Sequence, residues 1–216
     1  MNNLYYIESG KLNILLAKLK EAYRVFLPAI KDADSKEIDY FYKEASDGET
    51  LIFNSFRCVE PLKAFFTYPY EKISDYFVAE KNINEIAEKT IIFGVKSCDI
   101  AGHKVQDFVF LEGVEPDSLY RLRRENTILI SGDCTDFKEV CHCLAWEILP
   151  YPAQGFDLNL SPLDDGYLAE AGSAKGEELI RQYQEYFAPA KENQLRAKDA
   201  KRENLIARLK KHLLHF

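Results

Sequence analysis

Two short apolar runs, each followed within a few residues by a cysteine, constrain the fold of this 216-residue chain more than any other feature. The first reads Ile-Ile-Phe-Gly-Val-Lys-Ser-Cys-Asp at residues 91–99, and the second reads Thr-Ile-Leu-Ile-Ser-Gly-Asp-Cys at 127–134. Such runs are typical of strands buried within a sheet. The residues between them predict two helices, at 98–110 and 117–125, with Ser97 or Asp99 capping the first. This order predicts a parallel βαβ unit whose right-handed crossover makes the two strands neighbours or near neighbours.

The rest of the chain predicts an α/β fold with an α+β N-terminal portion and C-terminal helices. The predicted N-terminal elements are a strand at 4–7, a turn at Ser9-Gly10, a helix at 11–23, strands at 24–30 and 37–44, and an apolar run at 51–53 after a turn at 46–48. Helical segments are predicted within 61–88, including a short one at 84–88. A β-hairpin is predicted from strands at 156–160 and 167–171, and helices follow from 174 with a break at Pro189. We expect residues 1–188 to form the α/β domain and residues 189–216 a basic helical extension.

Four of the five cysteines lie where the two predicted strands and the following loop would bring them together. They are Cys98, Cys134, Cys141 and Cys143. Ligands of open α/β sheets bind beyond the carboxyl ends of the strands, where Cys98 and Cys134 are both predicted to lie. Cys58 has no such context, and we expect it to be a core residue.

Several chemistries suit this cysteine pattern. Four thiolates can hold a [4Fe–4S] cluster, and four ligands, with His142 as a conceivable substitute, can hold zinc. A dithiol redox pair is a third possibility, with the Cys98 thiolate stabilised at a helix N-terminus. Four ordinary buried cysteines are also compatible with the pattern.

Other polar residues give weaker signals. His103 lies one turn after Cys98, but we expect it to be capped or to face solvent. We expect the basic residues of the second helix to form surface ion pairs with neighbouring acids, while anion or partner binding is the alternative. They are Arg121, Arg123 and Arg124.

Composition narrows the function classes. The net charge of −7 and the lack of a basic stripe interleaved with aromatics argue against nucleic-acid binding. No apolar run approaches a membrane span, and the N-terminus lacks the features of a signal peptide, so we expect a cytoplasmic protein. Clustered cysteines in that compartment are more often ligands or redox groups than disulfides. Residues 189–216 hold eight Lys/Arg against three acids. We favour a solvated helix face as the explanation of this basic excess, with anion or partner binding as the alternative.

The ordered motifs resemble a known family. Phe-Gly-Val-Lys-Ser-Cys-Asp-Ile-Ala, Asp-Ser-Leu-Tyr-Arg-Leu-Arg-Arg-Glu-Asn, Asp-Cys-Thr, Cys-His-Cys and Gly-Phe-Asp-Leu-Asn-Leu-Ser follow one another in this chain. Together they are similar to the β subunits of sulfhydrogenase-type nickel–iron hydrogenases and to the corresponding electron-transfer subunits of anaerobic sulfite reductases, over most of residues 55–180.

The resemblance implies an iron–sulfur subunit that passes electrons between a flavin-bearing partner and a catalytic partner. It also implies that Cys98, Cys134, Cys141 and Cys143 are ligands of a [4Fe–4S] cluster. In that family a ferredoxin-like module follows this domain, and the present chain ends about where that module would begin. Two alternatives remain: a zinc-binding or metal-free docking domain that positions redox partners, and an enzyme with Cys98 as its nucleophile.

Overall fold

A computed structural model describes residues 4–30, 38–68 and 88–214. Their strands form one eight-stranded sheet, with the spatial order β3-β2-β4-β5-β6-β7-β1-β8. The strands are β1 (Leu4–Glu8), β2 (Arg24–Ile30), β3 (Tyr40–Glu44), β4 (Thr90–Val95), β5 (Thr127–Gly132), β6 (Leu158–Pro162), β7 (Gly166–Ala171) and β8 (Ala188–Pro189). The helices are α1 (Ser9–Ala22), α2 (Ser97–Leu111), α3 (Ser118–Asn126), α4 (Ala174–Gln182) and α5 (Glu192–Leu213). The predicted α/β class is confirmed.

The centre of the sheet is parallel. Strands β2, β4, β5 and β6 pair in parallel, while β3 on one side and β7, β1 and β8 on the other are antiparallel. The predicted βαβ unit is therefore confirmed, since β4 pairs directly with β5 and the two crossover helices lie between them in sequence. The predicted hairpin is confirmed as β6 and β7.

Helices cover both faces of the sheet. One core joins α1 and α4 to inward side chains of β4 and β5, such as Phe93 and Ile130. The second joins α2 and α3 to the opposite side chains of the same strands, such as Ile92 and Leu129. Because β4 and β5 bury both faces, their sequences are continuously apolar and do not alternate.

Gly94 determines the backbone path near the end of β4. The register with β5 shifts between Phe93 and Val95, and Gly94 lies at that irregularity with a φ of +73°. A Cβ on Gly94 would stand 2.3 Å from the Oδ1 atom of Asn54, whose Nδ2 donates a 3.0 Å hydrogen bond to the Gly94 carbonyl. Only glycine combines this backbone conformation with so close a neighbour. The bulge sets the path of the chain just before the first cysteine of the cluster.

Several local predictions differ from the structure. Ser9 and Gly10 begin α1 instead of forming a turn, and β3 begins at Tyr40. The apolar run at 51–53 is irregular, although Leu51 and Phe53 pack against the core. Of the helical segment predicted within 61–88, Leu62–Phe65 form a 3₁₀ turn. Residues 69–87, including most of the short helix predicted at 84–88, lie outside the described residues.

The C-terminal helices confirm the predicted break at Pro189, which lies in β8 between α4 and α5. In α4, Gly176 packs so closely on the chain that a Cβ would stand 1.7 Å from the carbonyl oxygen of Asp157. Helix α5 buries Leu205 and Leu209 against the α/β body.

Among the described residues, no helix has the length and apolar character needed to span a membrane.

Candidate functional site

The candidate site lies at the carboxyl edge of β4 and β5. Cys98 is the second residue of α2, three residues beyond the end of β4, and Cys134 follows β5 by two residues. Because β4 and β5 are neighbouring parallel strands, both thiols emerge at the same edge. The convergence predicted from the topology is therefore present in the structure.

The other two cysteines belong to the long loop between β5 and β6. The Cys134 backbone N–H donates a 2.8 Å hydrogen bond to the Pro150 carbonyl, which brings the start of this loop next to Pro150. Within it, the Lys138 backbone N–H donates to the Sγ atom of Cys141 at 3.3 Å. Cys143 begins a 3₁₀ turn that ends at Trp146. The Cys-His-Cys segment is thereby held by its own backbone contacts.

The four thiols are near enough to influence one another electrostatically. Burial, followed by Asp99 and then by Cys134 and Cys143, raises the pKa of Cys98 to about 12. Burial, together with Cys143 and Cys141 and against the opposing effect of Lys96, raises the pKa of Cys134 to about 12. The pKa of Cys143 is also raised, first by burial and then by Cys141. Thiols with raised pKa values stay protonated at neutral pH, so metal binding here would release protons.

The redox-pair alternative placed a Cys98 thiolate at the N-terminus of α2. Burial has the larger effect on the Cys98 pKa and acts in the opposite direction, favouring the neutral thiol.

A buried lysine lies beside the thiols. Lys96 is 0% exposed, and its Nζ donates a 3.2 Å hydrogen bond to the Asp133 carbonyl while lying 5.0 Å from the centre of the Phe53 ring. Burial lowers the pKa of Lys96, and Cys134 leads the groups that oppose this shift. Within residues 4–30, 38–68 and 88–214, no carboxylate forms an ion pair with this ammonium group.

Asp99 and Arg57 add a second pair of charges. The Nε atom of Arg57 lies 3.4 Å from Oδ1 of Asp99, while Oδ2 of Asp99 is buried with no hydrogen-bond partner among the described residues. Burial raises the pKa of Asp99 to about 6, against the opposing effects of Arg57 and of a backbone hydrogen bond at Lys96. The N-cap position of α2 is Lys96, so the prediction that Ser97 or Asp99 occupies it is wrong.

The cysteines lie at one edge of the sheet, but their side chains are not arranged as a set of metal ligands. In the described ranges, no group of three or more His, Cys, Asp or Glu side chains is arranged to hold a metal ion. His142 is exposed, and its Nδ1 lies 2.7 Å from the Val140 carbonyl of its own loop. The four cysteines are free thiols.

Side chains of helix α5 contact residues at this edge of the sheet. Arg202 makes two contacts with the Asp133 carboxylate, at 2.7 and 3.1 Å, and its guanidinium lies 4.0 Å from the centre of the Tyr151 ring. Further along, Arg208 donates to Asp136 at 2.6 Å, and His212 lies 2.7 Å from the Glu139 carbonyl. A cavity of about 470 Å³ remains between α5 and the edge, lined in part by Cys134 and Arg202. Basic residues of the tail thus contact the cysteine loop, although a solvated helix face was the favoured explanation.

The remaining candidate residues are placed as follows. We predicted that His103 is capped or faces solvent. It is buried, with its ring centroid 4.4 Å from that of Phe66, so it does not face solvent. Arg124 pairs at 3.3 Å with Asp107, which belongs to α2 and not to the sequence neighbours of the arginines. Arg123 donates to the Phe66 carbonyl, and Arg121 is exposed.

Cys58 is fully buried, as predicted. It nevertheless lies close enough to Lys96 and Asp99 for their charges to affect its pKa, which burial raises to about 12. The fifth thiol is thus a core residue near Lys96 and Asp99.

Sequence reasoning missed four charged residues around the cysteines: Arg57, Lys96, Asp133 and Arg202. A lysine between a buried strand and a cysteine is a readable signal, because the strand exit of an open α/β sheet is where ligands bind. The Arg202 contact has no local signal, since 69 residues separate it from Asp133.

Fold and site together define an open α/β domain with a cluster of thiols at the carboxyl edge of its parallel strands. The chain is a distant homologue of the sulfhydrogenase 2 β subunit of Pyrococcus furiosus, with 33% identity over 184 residues. The match covers 83% of this chain and 51% of the relative, so the chain spans about half the length of that curated protein. No protein-family model matches the chain. The homology supports the family resemblance found from the motifs.

Proposed function

We propose that this chain is an iron–sulfur electron-transfer subunit, or a domain of one, in an anaerobic redox complex such as a hydrogenase or a sulfite reductase. The observation that carries the proposal is that Cys98 and Cys134 follow neighbouring parallel strands, with Cys141 and Cys143 in the loop after Cys134. Homology to a sulfhydrogenase β subunit supports a role in electron transfer. Flavin-bearing and catalytic partner subunits are part of this proposal.

The residue types at the edge suit a [4Fe–4S] cluster, although the described side chains do not form a group already arranged to hold a metal ion. Four cysteines are the usual ligand set, and such a cluster, when bound, takes up and releases single electrons. Cys98 and Cys134 would hold it from the strand ends, and Cys141 and Cys143 from the loop. The Lys138 backbone N–H already points to the Cys141 sulfur. Hydrogen bonds of this kind to ligating sulfurs are among the features that set cluster potentials.

Anaerobic reconstitution with iron and sulfide tests the proposal. We expect about four iron atoms per chain and broad visible absorption that dithionite bleaches. Cys143→Ser should lose most of this absorption. Cys58→Ser is the matched control, because it makes the same chemical change at a buried cysteine outside the proposed ligand set. The proposal fails if the wild-type protein binds no iron, or if Cys58→Ser loses as much absorption as Cys143→Ser.

A structural docking domain, holding zinc or no metal, is the second candidate. It is favoured by the lack, in the part of the chain that the structure describes, of a group already arranged for metal coordination. Elemental analysis of the purified protein separates the two candidates. One zinc per chain, or unchanged stability when all four cysteines become serine, would support the docking domain.

A further inference from the structure

The cavity of about 470 Å³ beside α5 lies at the carboxyl ends of two parallel strands. Asp133 and Cys134, which follow β5, line it. So do Ser161 and Pro162, the last two residues of β6. Ligands of open α/β sheets bind beyond the carboxyl ends of the strands, and small-molecule sites usually have volumes of about 300–1,000 Å³. The cavity therefore has the position and the size of a ligand site.

The α5 side of this cavity is basic. Successive turns of the helix contribute four cationic residues to the lining, namely Lys198, Lys201, Arg202 and Arg208. Among the residues that the structure describes, Asp133 is the one carboxylate in the lining. The positive charge here is opposite in sign to the net charge of −7 of the whole chain. A cleft lined mainly by charges of one sign attracts ligands of the opposite sign.

Two of these cations have ion-pair partners that compete weakly with a ligand. Lys201 pairs with Asp164, whose side chain is almost fully exposed. Arg208 pairs with Asp136, whose side chain is about half exposed. Such solvent-exposed pairs contribute little free energy, because water screens the charges. Both cations can therefore turn to a bound anion at low cost.

Two further donors lie in more protected positions. The Lys198 side chain is only 12% exposed, and its acidic contact among the described residues is the neighbouring Asp199, at 3.5 Å. Ser161 is buried, and its hydroxyl oxygen accepts hydrogen bonds from Arg202 and from Asn159. The hydroxyl hydrogen of Ser161 has no acceptor within the described ranges, although buried polar groups are normally paired. An anionic oxygen in the cavity would supply that acceptor.

We propose that this cavity binds a small organic anion that carries a phosphate or pyrophosphate group. Several cations and a hydroxyl donor suit a group with several oxygens and more than one negative charge. Leu205 and Pro162 provide apolar surface for the rest of the ligand, and such mixed lining is usual for ligand sites. Of the four clustered cysteines, all of which the structure describes, Cys134 alone lines the cavity. The inference therefore does not depend on the proposed function.

Isothermal titration calorimetry of the full chain, as purified, tests the proposal at an ionic strength of about 0.15 M. The probes are inorganic phosphate, pyrophosphate, ADP and citrate. We expect pyrophosphate to bind more tightly than inorganic phosphate because it carries more charge, and ADP to bind most tightly because its organic part contacts the apolar lining. Citrate, which has only carboxylates, should bind more weakly than pyrophosphate.

A pair of double variants tests the location of the site. Lys198→Met combined with Lys201→Met should raise the Kd for ADP by about tenfold or more, because two donors to the charged group are lost. Lys210→Met combined with Lys211→Met is the matched control, since it removes two exposed lysines of the same helix that do not line the cavity. This control should change the Kd by less than about threefold, because salt screens exposed charges that lie away from the ligand.

The results can overturn the inference in three ways. If none of the phosphate-bearing probes binds, the site does not exist. Equal weakening in the two double variants would show general attraction to the basic helix in place of a defined site. Citrate binding as tight as that of pyrophosphate would overturn the assignment to phosphate groups. These measurements do not depend on iron uptake, so the present inference and the electron-transfer proposal can fail independently.

Discussion

The contact between α5 and the cysteine edge depends on Arg202. This guanidinium makes two contacts with Asp133, donates to the Ser161 hydroxyl at 3.2 Å and stacks on Tyr151. The Arg202 side chain is 15% exposed and that of Asp133 is 7% exposed, so solvent screens the pair only weakly. We therefore expect Arg202→Met to lower the free energy of unfolding substantially.

The magnitude follows from what the substitution leaves behind. Removing one partner of a buried ion pair costs about 3–5 kcal/mol, because the other charge stays buried and unpaired. Asp133 keeps its hydrogen bond from Asn159, which places the expected loss near the lower limit, about 3 kcal/mol. That is a large share of the roughly 5–15 kcal/mol by which a domain is stable.

Urea unfolding of the reduced, metal-free protein measures this loss. The matched control is Arg196→Met on the same helix, where the side chain is 78% exposed and paired with Glu192. The control should change the free energy of unfolding by less than about 1 kcal/mol. In a double-mutant cycle, Arg202→Met combined with Asp133→Asn should cost clearly less than the sum of the two single changes. Hydrogen exchange at the Cys134 amide, which bonds to Pro150, should also accelerate in Arg202→Met.

A loss from Arg202→Met no larger than that from Arg196→Met would refute this reasoning. So would strict additivity in the cycle, since it would mean that Arg202 stabilises the edge without acting through Asp133. Either result would leave α5 attached mainly by its apolar contacts at Leu205 and Leu209.

Two further predictions concern buried positions. Asp99→Asn should stabilise the metal-free protein at pH 7 by as much as about 3 kcal/mol, because burial raises the folded-state pKa of Asp99 to about 6 while the unfolded value is 3.8. The wild-type carboxyl becomes protonated as the pH falls through about 6, so the stability gained by Asp99→Asn should shrink toward pH 4. A difference in urea midpoint between variant and wild type that is the same at pH 4 and at pH 7 would contradict this. Gly176→Ala should destabilise the protein because its Cβ would collide with a backbone carbonyl, whereas Gly102→Ala, with open space around it in α2, should be stabilising by about 0.5–1 kcal/mol in thermal unfolding. Equal effects of the two alanines would contradict the close packing of α4.

The parts of the fold that could be predicted are those specified by neighbouring residues. Strand β2 and strand β4 begin and end where the sequence places them, because their apolar runs are bounded by polar residues. The βαβ unit follows from the handedness of crossovers, and with it the shared edge of Cys98 and Cys134. Only a topological rule was needed to bring these two thiols together.

Other features depend on contacts between distant residues and could not be predicted. Strand β1 lies between β7 and β8, a placement that requires pairing residues near both ends of the chain. The redox-pair alternative considered only the helix N-terminus beside Cys98, whereas burial raises the Cys98 pKa, and three-dimensional packing determines that burial. The basic tail was interpreted from its charge, yet Arg202 and Arg208 pair with acids that follow β5.

The charges at the edge explain why four thiols can be held together without metal. Neighbouring thiolates would repel one another, and Cys134, Cys141 and Cys143 each raise the pKa of at least one other thiol. Keeping them protonated removes that repulsion, so the sheet edge can bring these cysteines together as free thiols.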